Sequence, residues 1–282
     1  MSRLQKLTSG LFIIFVVFSL ISCSSEVKRD SKLKIAVSVP TYVDIVHQIG
    51  KDKVDVFSLL PPGVNPHDID ITPAQLQKLT SSDLYIRVGN FFNMEEIVLK
   101  KIEGLGDSLK IFDSSNGVEV KYNNPHVWNG IKEVRRISGN IVAELSKIDP
   151  ANKDFYEENF RSYASKIDSA SAMIREKLTG LRTNVIITYH PALLYFADSF
   201  GLVEISIEKH GHEPNAKDIA DLINKAKRFM AKAVYIQPQF ENNTAKVVAD
   251  ELKADLVVID PLPGNFLQNA WDIADKIAKY NK

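Results

Sequence analysis

The loop Pro61-Pro62-Gly63-Val64-Asn65-Pro66-His67 joins a strand-like run, Val54 to Leu60, to a helix start at Thr72-Pro73. Three prolines and one glycine fix most of the backbone dihedral angles of this loop before the chain folds. The loop therefore holds its last residue, His67, in one direction at little cost in conformational entropy. A rigid loop that ends in histidine at the tip of a strand is suited to binding a metal ion, provided that other ligands reach the same place.

Short apolar strands alternate with amphipathic helices on both sides of this loop, and such alternation predicts parallel β-α-β units. The predicted strands are 33–39, 54–60, 84–88, 185–189, 203–207, 233–236 and 256–259. The predicted helices are 42–49, 72–79, 94–101, 130–148, 153–178, 192–200, 216–230, 244–252 and 266–278. Thr72 is the expected N-cap of its helix, because Pro73 fits the first helical position. We therefore expect an α/β fold with two (β/α) lobes, each built on a mainly parallel sheet.

The predicted helix from Lys153 to about Leu178 is unusually long and contains neither proline nor glycine. At a rise of 1.5 Å per residue it would run about 40 Å, which is longer than one small domain needs. We expect it to be a rigid link between two lobes, residues 33–150 and 181–282, with residues 151–180 as the link. Ligands of such folds bind in the crevice at the C-terminal ends of the strands.

The N-terminus has the pattern of a bacterial secretion signal. A basic start precedes an apolar run from Leu11 to Ile21, which is too short to span a bilayer comfortably as a mature helix. The run ends in Leu20-Ile21-Ser22-Cys23, which resembles a lipobox, so residues 1–22 are predicted to be a lipoprotein signal peptide and Cys23 the lipidated residue. The alternative is an ordinary signal peptide with an incidental cysteine. The polar residues 23–32 are predicted to be a tether between the anchor and the fold.

The composition excludes some classes of site and partner. Cys23 is the only cysteine, which rules out intrachain disulfides and thiolate metal ligands in the folded part of the chain. Residues 1–22 contain two basic residues and no acidic one, so the rest of the chain carries 33 Lys and Arg against 35 Asp and Glu. A nearly neutral chain without a basic stripe is not expected to bind nucleic acid.

Four side chains are candidate metal ligands, because each lies in a loop that follows a predicted strand or precedes a helix: His67, His126, His190 and Asp260. Three imidazoles and one carboxylate, without a thiolate, form a four-coordinate set that suits Zn²⁺ and is acceptable to Mn²⁺. Each histidine taken alone could be an ordinary hydrogen-bonded loop residue, and no compact motif such as HExxH is present. The inference therefore depends on all four side chains meeting in the crevice, two from each lobe.

An ordered series of short stretches is typical of one protein family. The stretches are Leu60 to His67, Asn124 to Trp128, Thr188-Tyr189-His190, Tyr195-Phe196-Ala197, Phe200-Gly201-Leu202, Glu213-Pro214 and Asp260-Pro261-Leu262. From about Leu33 to its end, the chain resembles the substrate-binding proteins of bacterial ABC transporters for zinc and manganese, which include zinc-binding lipoproteins. The family fold, two (β/α) lobes bridged by one long helix with the metal site in the cleft between them, agrees with the pattern of elements above.

The resemblance assigns roles to the candidate ligands. It implies that His67, His126 and Asp260 bind the metal ion. The third ligand of the family is histidine in zinc-type members and often glutamate in manganese-type members, so His190 favours zinc. The chain departs from the family at Asn124, where an acidic residue is usual, and at Asn129-Gly130, where Leu-Asp is common. These changes concern the orientation of His126 rather than the presence of the ligand. The long His-rich loop of some zinc-type members is missing.

The resemblance implies an extracytoplasmic binding protein and not an enzyme. We expect a monomer, held on the periplasmic or extracellular face of the cell envelope by a lipid anchor in the membrane, that captures Zn²⁺ with high affinity and delivers it to the permease subunits of an ABC transporter. A manganese receptor of the same family is the first alternative. Two alternatives belong to other classes: a zinc-dependent hydrolase in which Asp260 is a general base, and a surface adhesin that acts in cell adhesion and carries its metal incidentally.

Three further sites have weaker signals. The stretch His210-Gly211-His212-Glu213 could be an auxiliary metal site formed by His210 and His212, or only a solvated loop. Glu208 could hydrogen-bond a metal-binding histidine, but the sequence favours the interpretation that it simply ends a strand. His47 is expected to be a surface or packing residue of its helix.

Overall fold

The computed structural model of the protein describes residues 32–66, 70–104, 108–208, 214–240 and 243–282. The predicted signal peptide, the lipidation site Cys23, the ligand His67 and the auxiliary pair His210 and His212 lie outside the described residues. These predictions therefore stay predictions.

The described strands form two parallel four-stranded sheets with the same strand order. The first sheet is β2-β1-β3-β4, with β1 (Leu33–Val37), β2 (Val54–Ser58), β3 (Leu84–Arg87) and β4 (Lys110–Asp113). The second sheet is β6-β5-β7-β8, with β5 (Val185–Thr188), β6 (Val203–Ser206), β7 (Ala233–Ile236) and β8 (Asp255–Val258). In each sheet the second strand lies on one side of the first strand, and the third strand lies on the other side. The loops that follow the first and third strands therefore diverge, and ligands of such sheets bind in the crevice between these loops.

Helices cover the faces of both sheets. They are α1 (Pro40–Gly50), α2 (Pro73–Thr80), α3 (Asn93–Ile102), α4 (Ile131–Ile148), α5 (Lys153–Lys177), α6 (Leu194–Phe200), α7 (Ala216–Arg228), α8 (Asn243–Leu252) and α9 (Phe266–Asn281). None of the helices in the described ranges is long and apolar enough to cross a membrane. The predicted α/β fold with two parallel sheets and one long helix is confirmed.

Two differences from the predicted elements have local causes. Strand β4 is not predicted, because it has only four residues, lies at the edge of its sheet and leaves Ile111 exposed. Helix α1 begins at Pro40 rather than at Tyr42, because proline is tolerated in the first turn of a helix. The predicted N-cap is confirmed: the Thr72 hydroxyl accepts the backbone N–H of Gln75 (3.3 Å), and the Gln75 side chain accepts that of Thr72 (2.9 Å).

Helix α5 packs into the central apolar core, which contains residues of both sheets. It spans 25 residues, about 37 Å, and contacts helices α1, α4 and α9. Its buried residues Tyr163 and Ile167 belong to the same apolar cluster as Ile86 of β3 and Ile186 of β5. The two lobes therefore share one core around α5, and the predicted lobe boundaries near residues 150 and 180 stay predictions.

Candidate metal centre

Two of the predicted ligands lie side by side. The Nε2 atoms of His126 and His190 are 3.2 Å apart, and their rings meet nearly at right angles, with an interplanar angle of 82°. Each side chain is only 3% exposed. His190 follows β5 at the point where the second sheet reverses its strand order, and His126 precedes a 3₁₀ turn, Val127–Asn129, that leads into α4.

The partners of the two rings fix which nitrogen carries the proton. The backbone N–H of His126 donates to Asn124 Oδ1 (2.9 Å), and Asn124 Nδ2 donates to the carbonyl oxygen of Pro191 (2.7 Å). These backbone partners determine the orientation of the amide, so Oδ1 also accepts from His126 Nδ1 at 2.8 Å. On the other ring, His190 Nδ1 donates to Glu208 Oε2 at 2.7 Å.

In both neutral imidazoles the lone pair is therefore on Nε2, and the two lone pairs converge. Two lone pairs that face each other at 3.2 Å repel unless a metal ion or a proton lies between the nitrogens. Tetrahedral zinc with Zn–N bonds of about 2.0–2.1 Å places two ligand nitrogens about 3.3–3.4 Å apart. The spacing of the pair thus suits one edge of a tetrahedral metal site.

Three side chains hold His190 in place; the sequence interpretation did not identify Gln237 or Phe240, and it considered a hydrogen bond from Glu208 to a histidine but did not favour it. Gln237 directly follows β7; it donates from Nε2 to the His190 carbonyl oxygen (3.0 Å) and accepts the His190 N–H at Oε1 (3.2 Å). The ring of Phe240 stacks on His190 with the centroids 4.4 Å apart. Glu208 binds the imidazole, so the interpretation of Glu208 as a mere strand end was wrong. The backbone N–H of Glu208 donates to the carbonyl oxygen of Tyr189 (2.9 Å), which brings its side chain beside the next residue, His190.

Asp260 is fixed by neighbours of its own. Its Oδ1 accepts from Gln239 Nε2 (2.8 Å) and from the backbone N–H of Leu262 (2.9 Å). Trp128 Nε1 donates to the carbonyl oxygen of Pro261 (2.7 Å), which ties the segment that carries His126 to the segment that carries Asp260.

The described residues do not contain a complete metal-binding group. Within the described ranges, which leave out His67, no group of three or more His, Cys, Asp or Glu side chains is arranged to hold a metal ion. The structure therefore brings His126 and His190 together, and the full set of four ligands stays a prediction.

Comparison with known proteins identifies the family. Residues 35–279 match the family described as "ZnuA: Zinc-uptake complex component A periplasmic". The chain is 28% identical to the high-affinity zinc uptake system protein ZnuA of Bacillus subtilis (strain 168), over 92% of this chain and 90% of that protein. It is 26% identical to the manganese ABC transporter substrate-binding lipoprotein PsaA of Streptococcus anginosus, over 88% and 87% of the two chains.

A solved structure has the same fold. The structure titled "Crystal structure of ZnuA" has a TM-score of 0.86 and 30% sequence identity, and the match covers 89% of this chain and 100% of that one. The family match spans both sheets and the long helix between them. The chain therefore belongs to the ZnuA family, and it is the substrate-binding receptor of a metal ABC transporter rather than an enzyme.

Proposed function

We propose that the protein captures Zn²⁺ outside the cytoplasmic membrane and delivers it to an ABC permease for import. The convergence of the Nε2 atoms of His126 and His190 carries this proposal, because a cation removes the repulsion between their lone pairs. Two buried imidazoles suit Zn²⁺ well, whereas Mn²⁺ favours sites richer in carboxylate and carbonyl oxygens. Glu208 supports the same assignment, since a carboxylate that accepts the second N–H of a ligating histidine makes the imidazole a better donor to the metal.

The proposed ligands are His67, His126, His190 and Asp260. The two hydrogen bonds described for the Asp260 carboxylate both go to Oδ1, so we assign Oδ2 to the metal ion. A lipid on Cys23 would hold the receptor at the membrane, which agrees with relatives that are named as lipoproteins. We further propose that the receptor acts as a monomer.

Manganese is the second candidate cargo, because a relative of similar identity is named as a manganese transporter component. Competitive titration with Zn²⁺ and Mn²⁺ tests the choice on residues 26–282, which contain the whole compact unit from residue 31 onward. We expect tighter binding of Zn²⁺. Zinc is favoured over manganese by most nitrogen and oxygen sites, so the informative quantity is how a variant changes the ratio of the two dissociation constants.

We predict that His190→Glu lowers the preference for Zn²⁺ over Mn²⁺, because it replaces an imidazole with a hard carboxylate. His47→Glu is the matched control, since His47 is exposed on α1 and the substitution changes charge in the same way. An unchanged ratio of dissociation constants in His190→Glu would reject His190 as the residue that selects the metal. Growth of a deletion strain in zinc-poor and in manganese-poor medium then shows which uptake depends on the receptor.

A further inference from the structure

One amide side chain contacts one imidazole of the pair and the residue that follows the other. Asn124 accepts from the ring and from the backbone of His126 through Oδ1, and its Nδ2 donates to the carbonyl oxygen of Pro191 (2.7 Å). Pro191 directly follows His190. A single planar group thus connects the ring of one proposed ligand to the backbone beside the other.

The segment Lys121–Asn129, which carries His126, is also bonded to the second lobe at other points. Tyr195 of α6 donates its hydroxyl to the carbonyl oxygen of Asn124 (2.8 Å) and accepts the backbone N–H of Lys121 (3.0 Å). The Lys121 ammonium lies 2.9 Å from the carboxylate of Asp198 on the same helix. Asn129 Nδ2 donates to the carbonyl oxygen of Ala192 (3.0 Å).

We propose that Asn124 is a positioning residue that sets both the proton position of His126 and its distance from His190, so that segment Lys121–Asn129 holds the metal ion as part of the second lobe. This inference rests on the proposed function. It implies that His126 moves together with His190 and the second lobe. The two imidazoles can therefore stay together while the metal ion is released. The sequence, in contrast, predicted that two ligands belong to each lobe.

The amide is the group that can make both contacts. Oδ1 has to accept, because its partners are the N–H groups of His126, and Nδ2 has to donate, because its partner is a carbonyl oxygen. A carboxylate at this position would keep the contact with His126, but its second oxygen would face the carbonyl oxygen of Pro191. Asparagine at this position therefore makes a bond between the two ligand-bearing loops that a carboxylate would not make.

Three variants of the full chain in detergent micelles test the proposal. Asn124→Ala removes both contacts, Asn124→Asp keeps only the contact with His126, and Asn129→Ala removes a neighbouring bond of the same kind that does not touch an imidazole. The readouts are the Zn²⁺ dissociation constant from competition with a chelator, and the tautomer of His126 from NMR of its ring nitrogens in the metal-free protein.

We expect Asn124→Ala to weaken Zn²⁺ binding about 10–100-fold and to lose the preference for the proton on Nδ1 of His126, because groups that orient metal ligands have effects of this size. Asn129→Ala should change the dissociation constant less than about threefold and leave the tautomer unchanged. Asn124→Asp should keep the tautomer but bind Zn²⁺ at least about threefold more weakly than the unmodified protein, because it lacks the bond to Pro191.

Equal weakening in Asn124→Ala and Asn129→Ala would overturn the proposal, since it would mean that Asn124 only stabilises the fold. If Asn124→Asp bound Zn²⁺ as tightly as the unmodified protein, the proposed role of the hydrogen bond to Pro191 would be rejected. These failures differ from failure of the proposed function, in which the unmodified protein itself would bind no Zn²⁺ stoichiometrically.

Discussion

At the scale of single residues, the chemistry depends on where two protons are held. His126 and His190 each donate from Nδ1, to an amide oxygen and to a carboxylate respectively, so both present Nε2 to the same point. The two acceptors are not equivalent, because a carboxylate strengthens the donor nitrogen of its imidazole more than a neutral amide does. His190 is therefore the stronger of the two proposed ligands.

Glu208→Gln should weaken Zn²⁺ binding about tenfold, since the amide can still accept from His190 but no longer carries a charge. The measurement is a competitive titration with a chelator. Glu204→Gln is the control on strand β6, compared at pH 8 because burial raises the pKa of Glu204 to about 7. Glu204 accepts from Thr188 (2.8 Å) and from the backbone of Leu193 (3.0 Å) rather than from an imidazole. Equal weakening in both variants would show that only the overall charge of the lobe matters.

A second residue, Glu95, predicts how stability depends on pH. Burial raises the pKa of Glu95 to about 7, and this effect exceeds the opposing hydrogen bonds from Ser38, from the backbone of Val88 and Gly89, and the charge of Arg87. The folded protein thus holds this proton more tightly than the unfolded chain, in which the pKa is 4.5. Between these two values the free energy of unfolding falls as the pH rises, by on the order of 3 kcal/mol.

We predict that Glu95→Gln flattens this dependence, as measured by urea unfolding of the metal-free protein between pH 5 and 8. The readout is the slope against pH rather than the absolute stability, because Arg87 also loses its charged partner in the variant. Glu96→Gln is the control, since Glu96 is the next residue and is exposed. A slope in Glu95→Gln as steep as that of the control would contradict the assignment.

The sequence predicted that three histidines and Asp260 meet, and the described residues bring two of these histidines, His126 and His190, together. It did not reveal most of the side chains that hold them. His126 and His190 could be predicted because proline neighbours and strand ends mark loop positions. Glu208 could not, because its role depends on the register that pairs Thr188 of β5 with Ser206 of β6 and so places residue 208 beside residue 190. The pairing register of neighbouring parallel strands is a long-range property, which apolar periodicity does not encode.

At the scale of elements, the long helix was predicted closely, but apolar character alone does not mark every residue of its buried face. Phe155 and Met173, two apolar residues of this helix, are 37% and 51% exposed. Tyr156 is fully buried instead, and its hydroxyl donates to the carboxylate of Asp149 (2.6 Å). The partner of a buried hydroxyl is set by tertiary structure, so hydropathy alone ranked the neighbouring phenylalanine above the tyrosine.

The hydrogen bond from Trp128 to the carbonyl oxygen of Pro261 should contribute to the stability of the fold. Trp128→Phe keeps an aromatic ring against Phe92 but leaves the buried carbonyl oxygen of Pro261 without its donor. We expect the lost hydrogen bond to lower the free energy of unfolding by about 1–2 kcal/mol and the smaller buried ring to lower it further, as measured by urea denaturation followed by circular dichroism. Trp271→Phe is the control, because Trp271 is half-buried under the Lys177 ammonium. Equal losses in the two variants would argue against a specific role for the hydrogen bond.

At the scale of the whole molecule, the shared core restricts motion between the sheets. Apolar residues of both sheets pack with α5 into one cluster, so wide opening would expose that cluster to water. Spin labels at Glu96 on α3 and Lys246 on α8, both exposed, should therefore change their separation by no more than a few ångströms when Zn²⁺ is added to residues 26–282. A swing of many ångströms in double electron–electron resonance would contradict this expectation.

The common core also constrains how a transporter can tell a filled receptor from an empty one. Because separating the two sheets would expose the shared apolar cluster, we expect metal binding to change the overall shape of the receptor little. We therefore expect the permease to recognise the rim of the site, which is formed by loops at the ends of the strands. Discrimination between the two states then becomes a matter of local surface detail, and selection should act on loop tips as strongly as on the ligands beneath them.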